Sequence, residues 1–252
     1  MKMSKAALWA VILMLGAANL FAQTRRNQTE IYAGAAFPMS PDEFKDFYKI
    51  GLSGNVQYVF FPSPRVGIPI FVGYEGFTVD SDAISASFSQ ELTGLPIFDQ
   101  DTQIQIGRVT GASLQTEGSA STIKLGAGVR PYLTAPEAPT QFFLFANATF
   151  NFLSTKTTLN GGAVNYDNFL TGGSETLTLT KDDLTSVLGQ SEWKDDANKF
   201  GLGGGLGVEI PAGESINLIF QGLFNIVFSA AEAADGGKDN ITFVGVTAGV
   251  VF

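Results

Sequence analysis

The chain has 252 residues, a formal net charge of −9, no Cys and no His. The missing Cys excludes a disulfide framework and a lipid-bearing Cys, and the missing His removes the commonest general base and metal ligand, so no enzyme and no cofactor are expected. Hydrophobic residues make up 45% and mean hydropathy is +0.17, yet after residue 22 no apolar run reaches the roughly 18 residues that a membrane helix needs.

The first stretch reads as an address. Lys2 and Lys5 give a positive start, Ala6 to Ala18 is an apolar core, and Leu20-Phe21-Ala22 is a cleavage site before Gln23. The predicted organisation is therefore a secretory signal over 1–22 and a single domain over 23–252. An uncleaved anchor helix is the alternative at this point.

Alternation then marks out the mature chain. Glu30 to Phe37 places Ile31, Ala33, Ala35 and Phe37 on one face. Lys49 to Phe60 sets Ile50, Leu52, Gly54, Val56, Tyr58 and Phe60 against Gly51, Ser53, Asn55, Gln57 and Val59. After the Pro-rich turn Phe61 to Arg65, Gly67 to Val79 repeats the pattern with Ile68, Ile70, Val72 and Tyr74. Thr122 to Leu133 and Gln141 to Leu153 flank the turn Thr134 to Pro139; Lys199 to Ile210 and Ile216 to Phe228 flank the turn Pro211 to Ser215. The last segment, Asp239 to Phe252, alternates Thr242, Val244, Val246, Ala248, Val250 and Phe252 with smaller or more polar neighbours.

Most of these eight segments are about 9–13 residues long, the length a tilted strand needs to cross a bilayer. Short connections alternate with long ones, and two are very long, 80–121 and 154–198. The terminal Phe after alternating apolar residues, the even strand count and the loop asymmetry resemble the bacterial outer-membrane β-barrel family, in particular its small OmpA- and OmpX-like members. The resemblance covers nearly all of the mature chain, and departs from the family's ending at Val250, where an aromatic is common. It implies an all-β fold: an eight-stranded antiparallel up-and-down transmembrane β-barrel with short periplasmic turns and long extracellular loops. It also implies a monomer in the cell outer membrane, in contact with lipid, without the peptidoglycan-binding domain of longer relatives. Phe252 would be the assembly signal read by the barrel assembly machinery, with periplasmic chaperones as partners on the way. A soluble barrel of lipocalin type shares the strand count and would need the opposite face outward.

Charge separates walls from loops. Without Lys2 and Lys5 the mature chain carries 13 basic and 24 acidic residues, a net −11. With the strand-end lysines Lys49 and Lys199 counted in the long loops, strands, short turns and the Gln23 to Gln28 tail sum to zero. Acidic loops keep a rim solvated. They are also candidates to hold a divalent cation at Asp80/Asp82, Asp99/Asp101, Asp182/Asp183 or Asp195/Asp196, although none has the spacing of an EF-hand loop.

Glu75, Lys124, Arg130 and Glu209 fall on the small or polar face and so face the lumen, where a Glu75–Lys124 pair is expected. Such charges either plug a narrow barrel or gate a pore. The run Gly201-Leu-Gly-Gly-Gly-Leu-Gly207 lacks the spacing and the βα context of a nucleotide site, and it relieves crowding inside the wall. Within the long loops Ile84 to Phe88, Thr102 to Ile106 and Glu175 to Thr180 look strand-like, and would either project as a sheet or cap the mouth. Lys181 to Leu188 reads as a helical turn, and Trp193 as local packing. The expected function is non-enzymatic: a structural, adhesive or recognition role for acidic extracellular loops, with a partner at the outer surface and no nucleic acid. The alternative is a narrow channel or conduit for ions or small solutes.

Overall fold

The computed structural model describes residues 27–99, 102–213, 215–228 and 240–252, so the expected 1–22 signal lies outside the described residues. The alternating segments form strands β1 (Gln28–Ser40), β2 (Gly51–Ser63), β3 (Val66–Thr78), β4 (Pro96–Phe98), β5 (Gln105–Pro131), β6 (Gln141–Asn168), β7 (Gly173–Thr180), β8 (Glu192–Pro211), β9 (Asn217–Val227) and β10 (Ile241–Val251). Helices α1 (Asp42–Phe47), α2 (Ser81–Leu92) and α3 (Lys181–Leu188) lie in the long connections.

Eight strands close a ring in the order β1-β2-β3-β5-β6-β8-β9-β10 and back to β1, every pairing antiparallel. Each ring strand covers most or all of one of the eight segments read from sequence. At the seam Ala33 faces Ala248, and Thr29 and Phe252 exchange backbone hydrogen bonds of 3.2 and 2.9 Å. Closure leaves the ring without an edge, which a strand structure in lipid requires because nothing there can bond a free N–H or C=O. The connections β2–β3, β5–β6 and β8–β9 leave from one end, the short-turn end; the longer ones leave from the other.

Polarity is inverted relative to a soluble protein. Leu52 is 74% exposed, Phe200 68% and Ile70 61%, whereas Glu30 and Glu75 are fully buried. Burying a large apolar side chain is worth about 1.5–3 kcal/mol. A ring with Ile, Leu, Val, Phe and Tyr pointing outward on every strand would be unstable in water, and it is matched to hydrocarbon. The lipocalin-type alternative fails on this point.

Inside, residues stack in layers. Near the short turns Tyr32, Val59, Phe61, Tyr132, Phe143, Ile219 and Val251 form an apolar floor. Near the long loops Ala36, Phe77, Ala120, Val227 and Phe243 form a second apolar layer, into which α1 inserts Phe44. Polar side chains, among them Gln57, Lys124, Thr149, Asn151, Gln221 and Asn225, occupy the level between.

Three ring strands outrun the barrel. β5, β6 and β8 have 27, 28 and 20 residues against 13 in β3. At about 3.3 Å per residue β5 spans roughly 90 Å, far beyond a hydrocarbon core of about 30 Å. The loop 154–198 is thus largely strand, and the loop 80–121 is divided between strand and the helix α2. β4 pairs with the start of β5, and β7 with the end of β6, widening the projection on both sides. Glu175 to Thr180 is strand, as expected, and Lys181 to Leu188 is the complete helix α3. There Thr180 and Asp183 form a reciprocal capping box and Gly189 closes the end in the left-handed region. Trp193 lies within β8 opposite Thr157.

Two of the strand-like pieces are corrected. Thr102 to Ile106 is mostly turn, because the Asp99 carboxylate accepts from the Thr102 backbone N–H (2.8 Å) and hydroxyl (2.7 Å); β5 begins only at Gln105. Ile84 to Phe88 is helix. Asp80 caps it by accepting from Ala83 N–H, and Ser81, Ser85 and Ser89 recur every four residues on one face. Their hydroxyls accept from the backbone N–H groups of Thr116, Leu114 and Ala112 at 3.3, 3.1 and 3.0 Å. Four helical residues rise about 6 Å and two strand residues about 6.6 Å, so the serine ladder matches the N–H spacing of β5 where β3 has ended. The helix protects an edge that would otherwise be open. Ser85→Ala is expected to speed amide hydrogen exchange at Leu114 by about tenfold while Gly126, deep in the ring, stays unchanged.

Candidate functional site

Two charged assemblies fill the interior, one above the other. The lower one is built on period-two positions of β1, β2, β5 and β8. Arg130 donates to Glu30 Oε1 at 2.7 Å and to the hydroxyls of Tyr32 (3.1 Å) and Tyr132 (3.4 Å), and its guanidinium carbon lies 4.5 Å from the Phe143 ring centroid. Tyr32 and Gln57 both donate to Glu30 Oε2. Glu209 accepts from Asn217 at 2.7 Å, Gln28 at 3.2 Å and Tyr132 at 3.4 Å, which joins it to the same network. Arg130, Glu30 and Glu209 are each at most 1% exposed. A buried charge persists only when paired and hydrogen-bonded, and this set supplies both.

The upper assembly is the pair expected from sequence. Lys124 donates to Glu75, the two side chains are 7% and 0% exposed, and Ser53 also reaches Glu75 Oε1 at 3.5 Å. The Lys124 stem lies over Gly73, directly opposite it in register, where any Cβ would collide with the Lys124 side chain.

Between the assemblies lies a cavity of about 30 Å³ lined by Asn55, Gln57, Lys124, Arg130, Asn147 and Asn225 among others. Asn55 Oδ1, Arg130 Nε, Asn147 Oδ1 and Asn225 Nδ2 have no hydrogen-bond partner there among the described residues. That volume and polarity suit one or two bound waters, and are too small for a continuous conduit. The inward glycines Gly201, Gly203, Gly205 and Gly207 stand opposite Thr149, Asn147, Phe145 and Phe143 of β6. They leave room for those side chains, the crowding role read from the sequence.

All four expected lumen residues therefore face inward. The structure brings Glu75 to Lys124, pairs Arg130 with Glu30, and links Arg130 to Glu209 through the Tyr132 hydroxyl. Sequence reading left out Glu30, although its parity with Tyr32, and the zero charge sum of the walls, both pointed to it. Phe252 points outward beside the seam and is 57% exposed.

The long-loop acids work largely within the loops. Asp80, Asp99 and Asp183 cap helices or turns. Hydroxyls and amides from Tyr166 and Asn168 hold the Glu175 carboxyl below its usual range; the Thr180 hydroxyl does the same for Asp183, and Ser154 followed by Lys194 for Asp196. Among the described residues no three carboxylates come together as a metal site, and Asp101 lies outside them.

No protein-family model matches the chain, and no curated protein matches it in sequence. Solved structures are similar to it in fold. Neisserial surface protein A is 12% identical with a TM-score of 0.44, over 89% of this chain and 95% of that one. A major outer membrane protein from Thermus thermophilus is 14% identical with a TM-score of 0.44, over 90% and 99%. Ail, the attachment invasion locus protein of Yersinia pestis, is 11% identical with a TM-score of 0.38, over 90% and 100%. No residue role carries over at these identities. The closed ring, the outward apolar belt and the buried polar layers make this chain an eight-stranded β-barrel of the outer-membrane type.

Proposed function

We propose that the protein is a non-enzymatic, non-conducting barrel of the outer membrane whose work is done by its acidic long-loop side, in a structural, adhesive or recognition role. The carrying observation is the filled interior: two stacked ion-paired assemblies, an apolar floor beneath and an apolar layer above. Such a barrel gives a rigid mount. The projecting β5–β6 hairpin supports the surface role, as does β7, whose outer edge has no partner strand among the described residues and offers Leu177 and a row of threonines. In this reading the long loops face outward, the short turns face the periplasm, and Phe252 contacts the assembly machinery from the lipid side of the seam.

The test is planar-bilayer recording of the refolded protein, with folding confirmed by heat-modifiable migration. Wild type, Glu75→Gln and Lys124→Gln should all be electrically silent, because the Arg130 assembly and the floor remain. Stable conductance that rises in either variant would establish a gated lumen and transfer the function to the channel class. Orientation has its own check. The chain has no Cys, so Leu177→Cys should react with a membrane-impermeant maleimide on intact cells; labelling only after permeabilisation would reverse the outward assignment.

A further inference from the structure

We infer that the long-loop mouth of the barrel holds a binding site for one uncharged, elongated apolar molecule carrying at most a hydroxyl or carbonyl at one end. The cavity there measures about 400 Å³, within the range of small-ligand sites, roughly 300–1,000 Å³. Phe77, Phe243 and Ala120 form its inner walls, and α1 roofs it with Phe44 and Phe47. This is a built surface. The Phe44 ring meets Phe77 edge-on at 4.9 Å between centroids, and Phe77 meets Phe243 at 5.9 Å. Interiors leave few voids larger than a water, and a lining this apolar gives water few of the two to four partners that it needs. An apolar occupant satisfies both conditions.

Polarity and charge narrow the class. Thr122 lines the cavity, is 6% exposed, and its hydroxyl oxygen has no hydrogen-bond partner among the described residues. One ligand hydroxyl or carbonyl would satisfy it. A carboxylate would be refused. Lys124, the cation beneath the cavity, is engaged by Glu75, and at the rim Lys45 and Lys49 each lie 3.8 Å from an aspartate. The α1 roof itself carries Asp42 and Glu43. Tyr48, which also lines the site, is held above the ordinary phenol range by burial, against its bond to Thr157, and so presents a neutral hydroxyl at physiological pH.

The experiment places the only tryptophan at the roof, Phe47→Trp in a W9F, W193F background, in phosphatidylcholine nanodiscs. Quenching is measured with 12-bromododecan-1-ol, 12-bromododecanoate and 1-bromododecane. The alcohol should quench saturably, and at least about tenfold more tightly than the carboxylate at pH 8. Ala120→Phe, which fills the cavity, should abolish saturation. Thr122→Val should weaken the alcohol by roughly threefold to tenfold and leave the bromoalkane unchanged, and it serves as the test if Ala120→Phe does not fold. Quenching that grows linearly with probe in the bilayer, the same in all variants, would overturn the site. Equal or tighter binding of the carboxylate would overturn the ligand class.

Discussion

Arg130→Ala is expected to destabilise the barrel by about 3–5 kcal/mol, read as a shift of the urea midpoint for folding into lipid vesicles. The effect is large because it falls on what remains. Glu30, fully buried, would lose its guanidinium partner and retain only Tyr32 and Gln57 as donors among the described residues. Two comparisons separate this cause from lost packing against Phe143. Adding Glu30→Gln should recover much of the loss, since the orphaned charge disappears with it. Removing Lys156 from its exposed pair with Glu192, 3.1 Å apart and about half exposed on both sides, should cost less than about 1 kcal/mol. If the Arg130→Ala and double variants are equally destabilised, the pair is a packing element and the charge argument is wrong.

The fold was legible because one physical rule governs the ring. Period-two alternation places Ile50, Leu52 and Val56 outward and Ser53, Asn55 and Gln57 inward, and the structure follows it on all eight strands. The same rule sent Glu75, Lys124, Arg130 and Glu209 to the lumen, yet it could not choose partners. Partner choice depends on the stagger between strands that are far apart in sequence, and Glu30 lies 100 residues from Arg130. Alternation misled at Ile84 to Phe88, where Ser81, Ser85 and Ser89 also satisfy a helical period. An Asp cap and the open edge of β5 decided for helix. The long loops were the least legible. There a strand needs no lipid-facing residues, so Gln105 to Ser121 pairs with β6 while Ile106, Val109 and Leu114 stand among small and polar residues without a sustained apolar alternation. The mouth cavity left no local trace, since its lining comes from five ring strands and the helices α1 and α2.

Within the glycine-rich stretch of β8 and its neighbour β9, large substitutions should divide by face. At Gly207 an added Cβ would stand 2.3 Å from the Phe143 ring, and Phe143 is 1% exposed between Tyr132 and Arg130, with no room to retreat. At Gly205 it would meet the Gly222 carbonyl oxygen at 2.0 Å, a backbone atom of the paired strand. Gly207→Leu and Gly205→Leu should each cost at least about 1–3 kcal/mol, and more where the β8–β9 pairing must open to admit the side chain. Gly222 has nothing within 4 Å of such a Cβ and lies on the outward face of β9, where Leu218, Phe220 and Phe224 already meet lipid. Gly222→Leu should therefore stay within about 0.5 kcal/mol of wild type. Folding yield in vesicles and the urea midpoint check all three together. Equal losses at Gly205 and Gly222 would mean that the glycines serve strand flexibility rather than the fit of β6 side chains, and that the interior is looser than the paired assemblies imply. A tolerant Gly222 beside intolerant Gly205 and Gly207 is the pattern that a wall closely packed from within at β8, and bounded by lipid from without, requires.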